Sequence, residues 1–277
     1  MSFDWAFFFD ALIHPSHPFL VGLWRTVYIS VIAQALGTAV GLFIALGRRS
    51  RFPVLRRAAY LYVWLIRGTP LLVQLVIVYS GLAATGIYRF EDIHIGSVVF
   101  LGVIQAAIIT LAMNESAYMA EIIRAALDSV DPGQTEAAKA LGMTPSLTMR
   151  LVLLPQALRI VIPPLGNEFN LMMKSTSLLS VIGVQEMFLT AQSINSATFK
   201  TFEIFLVAAS YYLMLTTVWG LIQARIEKKL AAGGTPIPPR STLRQRMLGG
   251  RGDGAPLPAP AGPERAGASI PSAAVGR

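Results

Sequence analysis

Long apolar stretches alternate along the chain with short charged or polar segments. Since a bilayer core needs about 20 mostly apolar residues for each helical crossing, this pattern predicts about five transmembrane helices. The predicted spans cover about residues 20–46, 58–82, 95–119, 155–184 and 202–223. The predicted fold class is therefore all-α integral membrane, with one transmembrane domain over residues 20–230.

Arginines follow the first span directly, and they determine the predicted orientation. They are Arg48, Arg49, Arg51, Arg56 and Arg57, with no acidic residue between them. Because positive residues concentrate in cytoplasmic loops, this loop is predicted to lie inside. About five crossings then put the N-terminus outside and the C-terminus in the cytoplasm. Residues 1–19 contain no Lys or Arg, so they are predicted to be a retained outer segment rather than a signal peptide.

Composition supports a membrane protein. Hydrophobic residues make up 54% of the chain and charged residues 14%, well below the roughly 25% charged of a soluble domain. The net charge of +8 is explained by segments that flank spans, so the bilayer and not nucleic acid is the predicted partner. Residues 231–277 lack apolar periodicity and are rich in Gly, Pro and Ala, which predicts a disordered cytoplasmic tail.

The first span has a face of small residues. Ala33, Gly37, Gly41 and Ala45 recur every four positions and therefore lie on one side of a helix. We expect this face to pack closely against another helix.

The second span is interrupted by Arg67-Gly68-Thr69-Pro70. Either Arg67 lies within the bilayer beside a proline kink, or the residues up to Ile66 lie along the interface and the crossing begins near Thr69. The first alternative is slightly favoured.

The longest polar segment between spans covers residues 120–154, and a loop within it, about residues 131–155, carries signals for a short helix. Asp131 precedes Pro132, and Gln134 follows three positions after the aspartate, which predicts an N-cap, a proline in the first turn and a reciprocal capping partner. Gly142 is suited to a left-handed cap at the end of this helix.

A second start signal follows at Thr144-Pro145. It predicts another short helix over residues 146–153, and Pro155 marks the predicted start of the fourth span. The two short helices together predict a helix-turn-helix that faces the cytoplasm.

The order of residues in this loop is similar to the EAA signature of ABC importer permeases. Glu136-Ala137-Ala138 is followed after three residues by Gly142, after nine more by Val152, and after one more by Leu154-Pro155. Other segments resemble the permeases for polar amino acids of the histidine, glutamine, glutamate, arginine and opine type. These segments are residues 67–74, 120–122 with Arg124, 154–157 and 174–178, where Ser175 replaces a frequent aspartate. The similarity covers about residues 20–230.

The resemblance implies a type I importer fold in which the loop docks on a cytoplasmic ATPase. It implies that coupling to this ATPase is carried by Glu136, Ala137, Ala138, Leu141 and Gly142. Glu136 and Gly142 are expected to matter most, because a carboxylate can pair with an arginine and glycine permits the bend.

The sequence has no Gly-x-x-x-x-Gly-Lys-Ser/Thr phosphate loop. By resemblance, a separate ATPase dimer would bind ATP and Mg, so this chain is expected to be a transport subunit with no cofactor of its own and no catalytic residues. The resemblance also implies a second permease chain, identical or related, and an extracytoplasmic amino-acid-binding protein. The expected location is the bacterial inner (plasma) membrane.

Polar residues on the fourth predicted span suggest a substrate pathway. Asn167, Asn170 and Lys174 follow the spacing i, i+3 and i+7, which places them on one helical face, and Glu168 neighbours it. Pro163-Pro164 is expected to break this span. Alternatively, the asparagines only bond to neighbouring helices, and Lys174 reaches the outer interface.

Arg67 is the last pathway candidate. It either neutralises Glu168, attracts an amino-acid carboxylate, or serves as an interfacial anchor. Glu121 and Arg124 are predicted to form an i, i+3 pair. Asn114 and Glu115 are expected to make interhelical hydrogen bonds rather than a gate.

Two other classes of function compete with an importer subunit. One is a secondary transporter with Glu168 as its proton site, and the other is a membrane-bound enzyme or scaffold. No histidine or acidic spacing suggests a metal site, and no Ser-His-Asp grouping suggests a hydrolase.

Overall fold

The computed structural model describes residues 3–96 and 98–232. This part of the chain is mostly helical, as predicted. The predicted tail over residues 231–277 lies outside the described residues, apart from two alanines that end the last helix. The helix and strand bounds are given below in chain order.

The predicted outer segment contains a short helix that was not predicted. This helix, α1 (Trp5–Ile13), is capped by Asp4, whose side chain accepts a hydrogen bond from the Phe7 amide at 3.0 Å. The next helix, α2 (His17–Arg48), is 32 residues long and starts with a proline in its first turn. It extends a few residues beyond the first predicted span at both ends.

The interrupted second stretch folds as two separate helices. α3 (Pro53–Arg67) ends at Gly68, and α4 (Leu71–Val76) continues through a π-helical turn at Ile77–Gly81 into α5 (Leu82–Ala84). The helices on either side of the break are bent by 103°. The predicted interruption at residues 67–70 is confirmed as a bend beyond a right angle, and the position of Arg67 relative to the bilayer stays a prediction.

A hairpin precedes the third long helix and was not predicted. β1 (Ile93–Ile95) pairs antiparallel with β2 (Val98–Phe100), in a register that places Ile93 opposite Phe100. Gly96 in the turn has φ 60°, a conformation that glycine adopts without strain. The third helix, α6 (Gly102–Asp128), consequently starts later and ends later than the predicted span.

The polar loop contains α7 (Pro132–Ala140) and α8 (Pro145–Thr148). The second short helix does not end before the fourth long one. It continues through a π-helical turn (Met149–Leu153) into α9 (Leu154–Ser175), so Pro155 does not mark a new start.

The proline pair at 163–164 lies inside α9 without breaking it, contrary to expectation. The last helix, α11 (Thr201–Ala232), packs on α9 and donates side-chain hydrogen bonds to two of its backbone carbonyls. Gln223 Nε2 donates to the Pro163 carbonyl at 3.1 Å, and Trp219 Nε1 donates to the Gly166 carbonyl at 2.8 Å.

A 3₁₀ segment (Thr176–Ile182) follows α9, and α10 (Met187–Thr198) then leads to α11. Glu186 caps α10 by accepting hydrogen bonds from the Phe188 and Leu189 amides at 2.9 and 2.8 Å. Phe199 ends α10 in the left-handed region with φ 55°.

Three described helical segments are long and apolar enough to cross a membrane: His17–Arg48, Pro145–Ile182 and Thr201–Leu230. The bent α3–α4 pair is a fourth candidate if it counts as one span. α6 is not among them, since Asn114 and Glu115 lower the hydropathy of its centre. Five crossings therefore remain a prediction.

The core is centred on the contact between α2 and α6, as the small-residue face of α2 predicted. Ala33, Gly37, Gly41 and Ala45 are all buried. A Cβ at position 41 would lie 2.8 Å from the Ser116 carbonyl oxygen, so the two backbones approach too closely for a larger residue.

Candidate functional site: the α7–α8 loop and the polar interior

The start of α7 is held by a side-chain cap, as predicted. Asp131 Oδ1 accepts a hydrogen bond from the Gly133 amide at 2.7 Å, and Pro132 occupies the first turn. The predicted reciprocal cap by Gln134 does not form. Its Oε1 instead lies 3.5 Å from Gln156 Nε2, so this side chain links the loop to α9.

The end of α7 is closed by glycine, also as predicted. Gly142 has φ 74°, its amide donates to the Lys139 carbonyl at 2.9 Å, and the Met143 amide donates to the Ala138 carbonyl at 3.0 Å. These two bonds form a Schellman motif, which satisfies carbonyls that a helix end leaves free. Thr144 Oγ1 then accepts from the Leu147 amide at 3.3 Å and begins α8.

The five residues assigned to coupling by resemblance lie together but face two ways. Ala138 is 3% exposed, and α7 packs on the π-helical turn that leads into α9. Glu136, Ala137 and Gly142 are exposed, and Leu141 is 82% exposed. Ala138 therefore packs within this chain, while the other four present a surface that another protein can contact.

A charged cluster joins the ends of α2, α3 and α6. Arg48 and Arg124 both bind Glu121, with Arg124 Nε 2.8 Å from Glu121 Oε2, as the predicted i, i+3 pair requires. Asp128 accepts from Arg124 at 2.8 Å and is also paired with Arg49. Arg48, Arg49 and Asp128 were not predicted as partners, because the pairs Arg48–Glu121 and Arg49–Asp128 join residues more than 70 positions apart.

Arg67 lies beside this cluster. Its Nη1 is 3.8 Å from Glu121 Oε1, and its guanidinium is 5.1 Å from the centre of the Tyr118 ring. Within residues 3–96 and 98–232, no salt bridge joins Arg67 to Glu168, although the two charges interact at longer range. Arg67 therefore does not neutralise Glu168 through a direct salt bridge, which was one of the roles considered for it.

Polar side chains connect helices in the interior. Gln34 on α2 donates from Nε2 to Glu115 Oε1 on α6 at 2.7 Å. Asn114 Nδ2 donates to Gln74 Oε1 at 3.0 Å, and Gln74 Nε2 in turn donates to the Ile66 carbonyl at 2.8 Å across the break after α3. The expected interhelical bonds of Asn114 and Glu115 are confirmed. Gln34 and Gln74, isolated glutamines within apolar stretches, were the available signal that sequence analysis overlooked.

The predicted polar face of α9 is divided in the structure. Asn167 and Lys174 are exposed on the surface of the chain, whereas Glu168 and Asn170 are half-buried. Two buried amide oxygens, Asn170 Oδ1 and Gln34 Oε1, have no hydrogen-bond partner among the residues described.

A cavity of about 640 Å³ lies between α2, α6, α9 and α11. Its lining is almost entirely apolar and includes Leu42, Phe169 and Trp219, with Gln34 as one of two polar residues. Asn167, Glu168 and Asn170 do not line it. The cavity and the predicted polar face are thus separate features.

The structure thus combines a mostly helical membrane domain with an exposed, doubly capped helix in its longest polar loop, the features that the resemblance to importer permeases predicts. Comparison with known proteins agrees with this. Residues 37–232 match the protein family described as "binding-protein-dependent transport system inner membrane component". The chain belongs to this family of permeases.

Similar proteins are named as amino-acid permeases. The arginine transport system permease protein ArgU of Corynebacterium glutamicum is 39% identical over 235 residues, which is 83% of this chain and 72% of ArgU. The glutamine transport system permease protein GlnP of Escherichia coli K12 is 36% identical over 231 residues, which is 83% of this chain and 99% of GlnP.

A solved structure shares the fold. A crystal structure of an amino acid ABC transporter with histidines contains a chain 37% identical to this one, with a TM-score of 0.72 over 83% of this chain and all of that one. As a member of this permease family, the chain is an inner-membrane transport subunit, and its ATPase is a separate chain.

Proposed function

We propose that this chain forms the transmembrane pathway of an ATP-driven, binding-protein-dependent importer of polar amino acids. The names of its relatives support amino acids as substrates, since they include arginine and glutamine systems. A binding protein delivers the solute on the outer side, and the permease alternates between outward-facing and inward-facing states.

Coupling to the ATPase takes place through the α7–α8 loop. The observation that carries this proposal is the capping of α7 at both ends, which presents Glu136, Ala137 and Leu141 on a rigid exposed helix. Ala137 permits close approach, and Leu141 offers an apolar side chain to a groove. The Glu136 carboxylate pairs with a cationic side chain of the partner, which makes a charge-assisted hydrogen bond.

The energy source lies on the partner. An ATPase dimer binds ATP and Mg²⁺, and its closure moves α7 together with α9. The two are joined because α7 packs on the π-helical turn that leads into α9 and because Gln134 bonds to Gln156. A dimeric ATPase offers two equivalent docking surfaces. A second permease chain, identical or related, therefore completes the assembly.

Coupling is tested in proteoliposomes that contain the complete importer with its binding protein. The variant Glu136→Gln keeps the size of the side chain and removes its charge, and we expect transport to fall about tenfold or more, with basal ATP hydrolysis unchanged. Lys139→Gln, on the same exposed helix, is the matched control and retains transport. Unchanged transport and unchanged stimulation of ATP hydrolysis in Glu136→Gln would contradict the proposal.

The substrate pathway follows α9, with the exposed Asn167 and Lys174 and the half-buried Glu168 and Asn170 along its length. Arg67 lies at the inner end of this pathway. Two features support this. In the state that opens the pathway, the buried, unpartnered oxygen of Asn170 becomes an acceptor for an amino group. The Glu168 carboxylate makes no salt bridge within the described chain. A carboxylate at this position attracts a cationic or zwitterionic solute.

The pathway is tested by uptake kinetics. Glu168→Gln is expected to raise KM for cationic amino acids several-fold or more, because the attraction between opposite charges is lost in a low-dielectric site. Glu91→Gln, an exposed carboxylate in the segment before β1, is the control and leaves uptake unchanged. Equal affinity and rate for every transported amino acid in Glu168→Gln would remove this residue from the pathway, without bearing on the α7–α8 loop.

A further inference from the structure

The arginines after α2 fall into two groups in the structure. Arg48 and Arg49 are neutralised by Glu121 and Asp128 on α6. The others, Arg51, Arg56 and Arg57, are exposed and make no salt bridge with any described residue. Their charge is therefore available to an external anion.

The helix that carries two of these arginines has three distinct faces. Ala59, Val63 and Ile66 are buried against the rest of the chain. The helical repeat places three apolar residues on a second face. Their side chains are all more than half exposed: Val54, Leu61 and Leu65.

The third face of α3 combines cations with aromatic rings. Arg57, Tyr60, Trp64 and Arg67 follow the spacing i, i+3, i+7 and i+10, so they lie along one side. Trp64 is 64% exposed and Tyr60 is 61% exposed. Amphipathic aromatic rings and basic side chains on one side, next to an exposed apolar face, are the arrangement of a helix that lies in a membrane surface.

A recess at the end of α3 adds a concave element to this surface. It has a volume of about 400 Å³ and is lined by Arg48, Tyr60, Trp64, Arg67, Tyr118 and Glu121. The bend of 103° after α3 allows the helix to lie along the membrane while α4 enters it. The arginines of α3 then face the layer of lipid headgroups.

We propose that α3 and the preceding segment from Arg51 form a binding surface for anionic phospholipid headgroups. Val54, Leu61 and Leu65 insert among the acyl chains near the headgroups. Arg51, Arg56 and Arg57 bind headgroup phosphates, and the recess beside Trp64 accommodates one headgroup. This surface is separate from the α7–α8 loop and from the polar face of α9.

The test uses native mass spectrometry of the complete, delipidated importer after addition of phosphatidylglycerol or phosphatidylcholine with identical acyl chains. We expect the wild-type complex to retain phosphatidylglycerol preferentially. The triple variant Arg51→Gln/Arg56→Gln/Arg57→Gln should reduce this preference by about tenfold or more, since each basic residue near an anionic surface contributes severalfold. The matched control, Arg225→Gln/Lys228→Gln/Lys229→Gln, removes the same charge from exposed positions near the end of α11 and should retain the preference.

Equal retention of the two lipids by the wild type, or an unchanged preference in the triple variant, would overturn the proposal. Inorganic phosphate at millimolar concentration distinguishes the two sources of phosphate: if it displaces phosphatidylglycerol completely, the site binds free phosphate and the proposal is wrong. Should the triple variant fail to assemble, the single variant Arg57→Gln is measured instead. It is expected to lose part of the preference, and no loss would contradict the proposal.

Discussion

Gln34 and Glu115 form a hydrogen bond of 2.7 Å across the contact between α2 and α6, and both side chains are almost fully buried. The bond depends on a glycine one turn away. A Cβ at position 37 would lie 2.6 Å from the Glu115 Cβ, so any larger residue there would displace the carboxylate. A small-residue face thus brings the two helices close enough for a polar pair to form between them.

Replacing Glu115 by alanine should destabilise the protein. The Gln34 amide would lose its main acceptor in a buried site, which costs about 1–3 kcal/mol. Glu115→Gln retains an acceptor oxygen and should cost less than Glu115→Ala. Thermal unfolding of the detergent-solubilised complex measures the difference, and equal melting temperatures for Glu115→Ala and wild type would show that the bond does not contribute to stability.

Gly41→Val should weaken the contact between α2 and α6. A Cβ at this position meets the Ser116 carbonyl oxygen at 2.8 Å, and backbone atoms cannot move aside as a flexible side chain can. Overpacking of this kind costs about 1–3 kcal/mol. Both the yield of folded protein and its melting temperature should be lower in Gly41→Val than in the wild type.

Gly220→Ala is the matched control for the Gly41 variant. A Cβ at position 220 meets no atom within 4 Å, and alanine favours a helix interior by up to about 1 kcal/mol over glycine. Its stability should equal or exceed that of the wild type. A loss of stability as large as that of Gly41→Val would mean that glycine matters at both sites for another reason.

Gly142→Ala and Gly142→Asn separate backbone strain from side-chain size. The site has φ 74° and free space around it, so the cost of alanine is strain alone, about 1–2 kcal/mol. Asparagine adopts this conformation more readily and should preserve the end of α7 better. Hydrogen exchange of the Gly142 and Met143 amides should accelerate more in Gly142→Ala than in Gly142→Asn.

The same pair of variants tests the proposed docking of the loop. If α7 must be held rigid to couple to the ATPase, transport should fall in the order wild type, Gly142→Asn, Gly142→Ala. Gly142→Asp adds a charge to the exposed surface and should impair transport-linked ATP hydrolysis as well. Unchanged transport and hydrolysis in Gly142→Asp would exclude a role of this position in coupling.

The attachment of α1 to the start of α11 should depend on pH. The hydrogen bond from the Phe7 amide and the ion pair with Lys200, at 2.9 Å, lower the pKa of Asp4 from its usual 3.8. The pair in turn raises the pKa of Lys200. Stabilisation by Asp4 is therefore complete above the usual pKa of aspartate and is lost as the pH falls through the lowered value.

Hydrogen exchange of the α1 amides measures this attachment. Relative to the intrinsic exchange rate at each pH, protection of these amides should fall below about pH 4 in the wild type and should be low already at pH 7 in Asp4→Asn. Asp10→Asn, on the exposed side of the same helix, should resemble the wild type at neutral pH. Equal protection of α1 in Asp4→Asn and wild type at pH 7 would show that the ion pair does not hold the helix.

Much of the α7–α8 loop could be predicted from sequence, because caps act over a few residues. Both predicted N-caps form, at Asp131 and Thr144, and Gly142 adopts the predicted left-handed conformation. Gln134 does not, since a local capping bond competes with a partner on α9 that lies 22 positions away. A local signal fails where a distant side chain offers an alternative bond.

The sequence by itself determined the membrane class, the close-packed face of α2 and the capped loop. All three follow from hydrophobicity, from the helical repeat and from short-range backbone preferences. Only the tertiary structure decided that α3 turns away by 103°, that α9 continues through its prolines, and which partners Arg48, Arg67 and Glu115 find. These features depend on contacts between helices distant in the chain, and hydrophobic periodicity contains no information about which polar groups those contacts bring together.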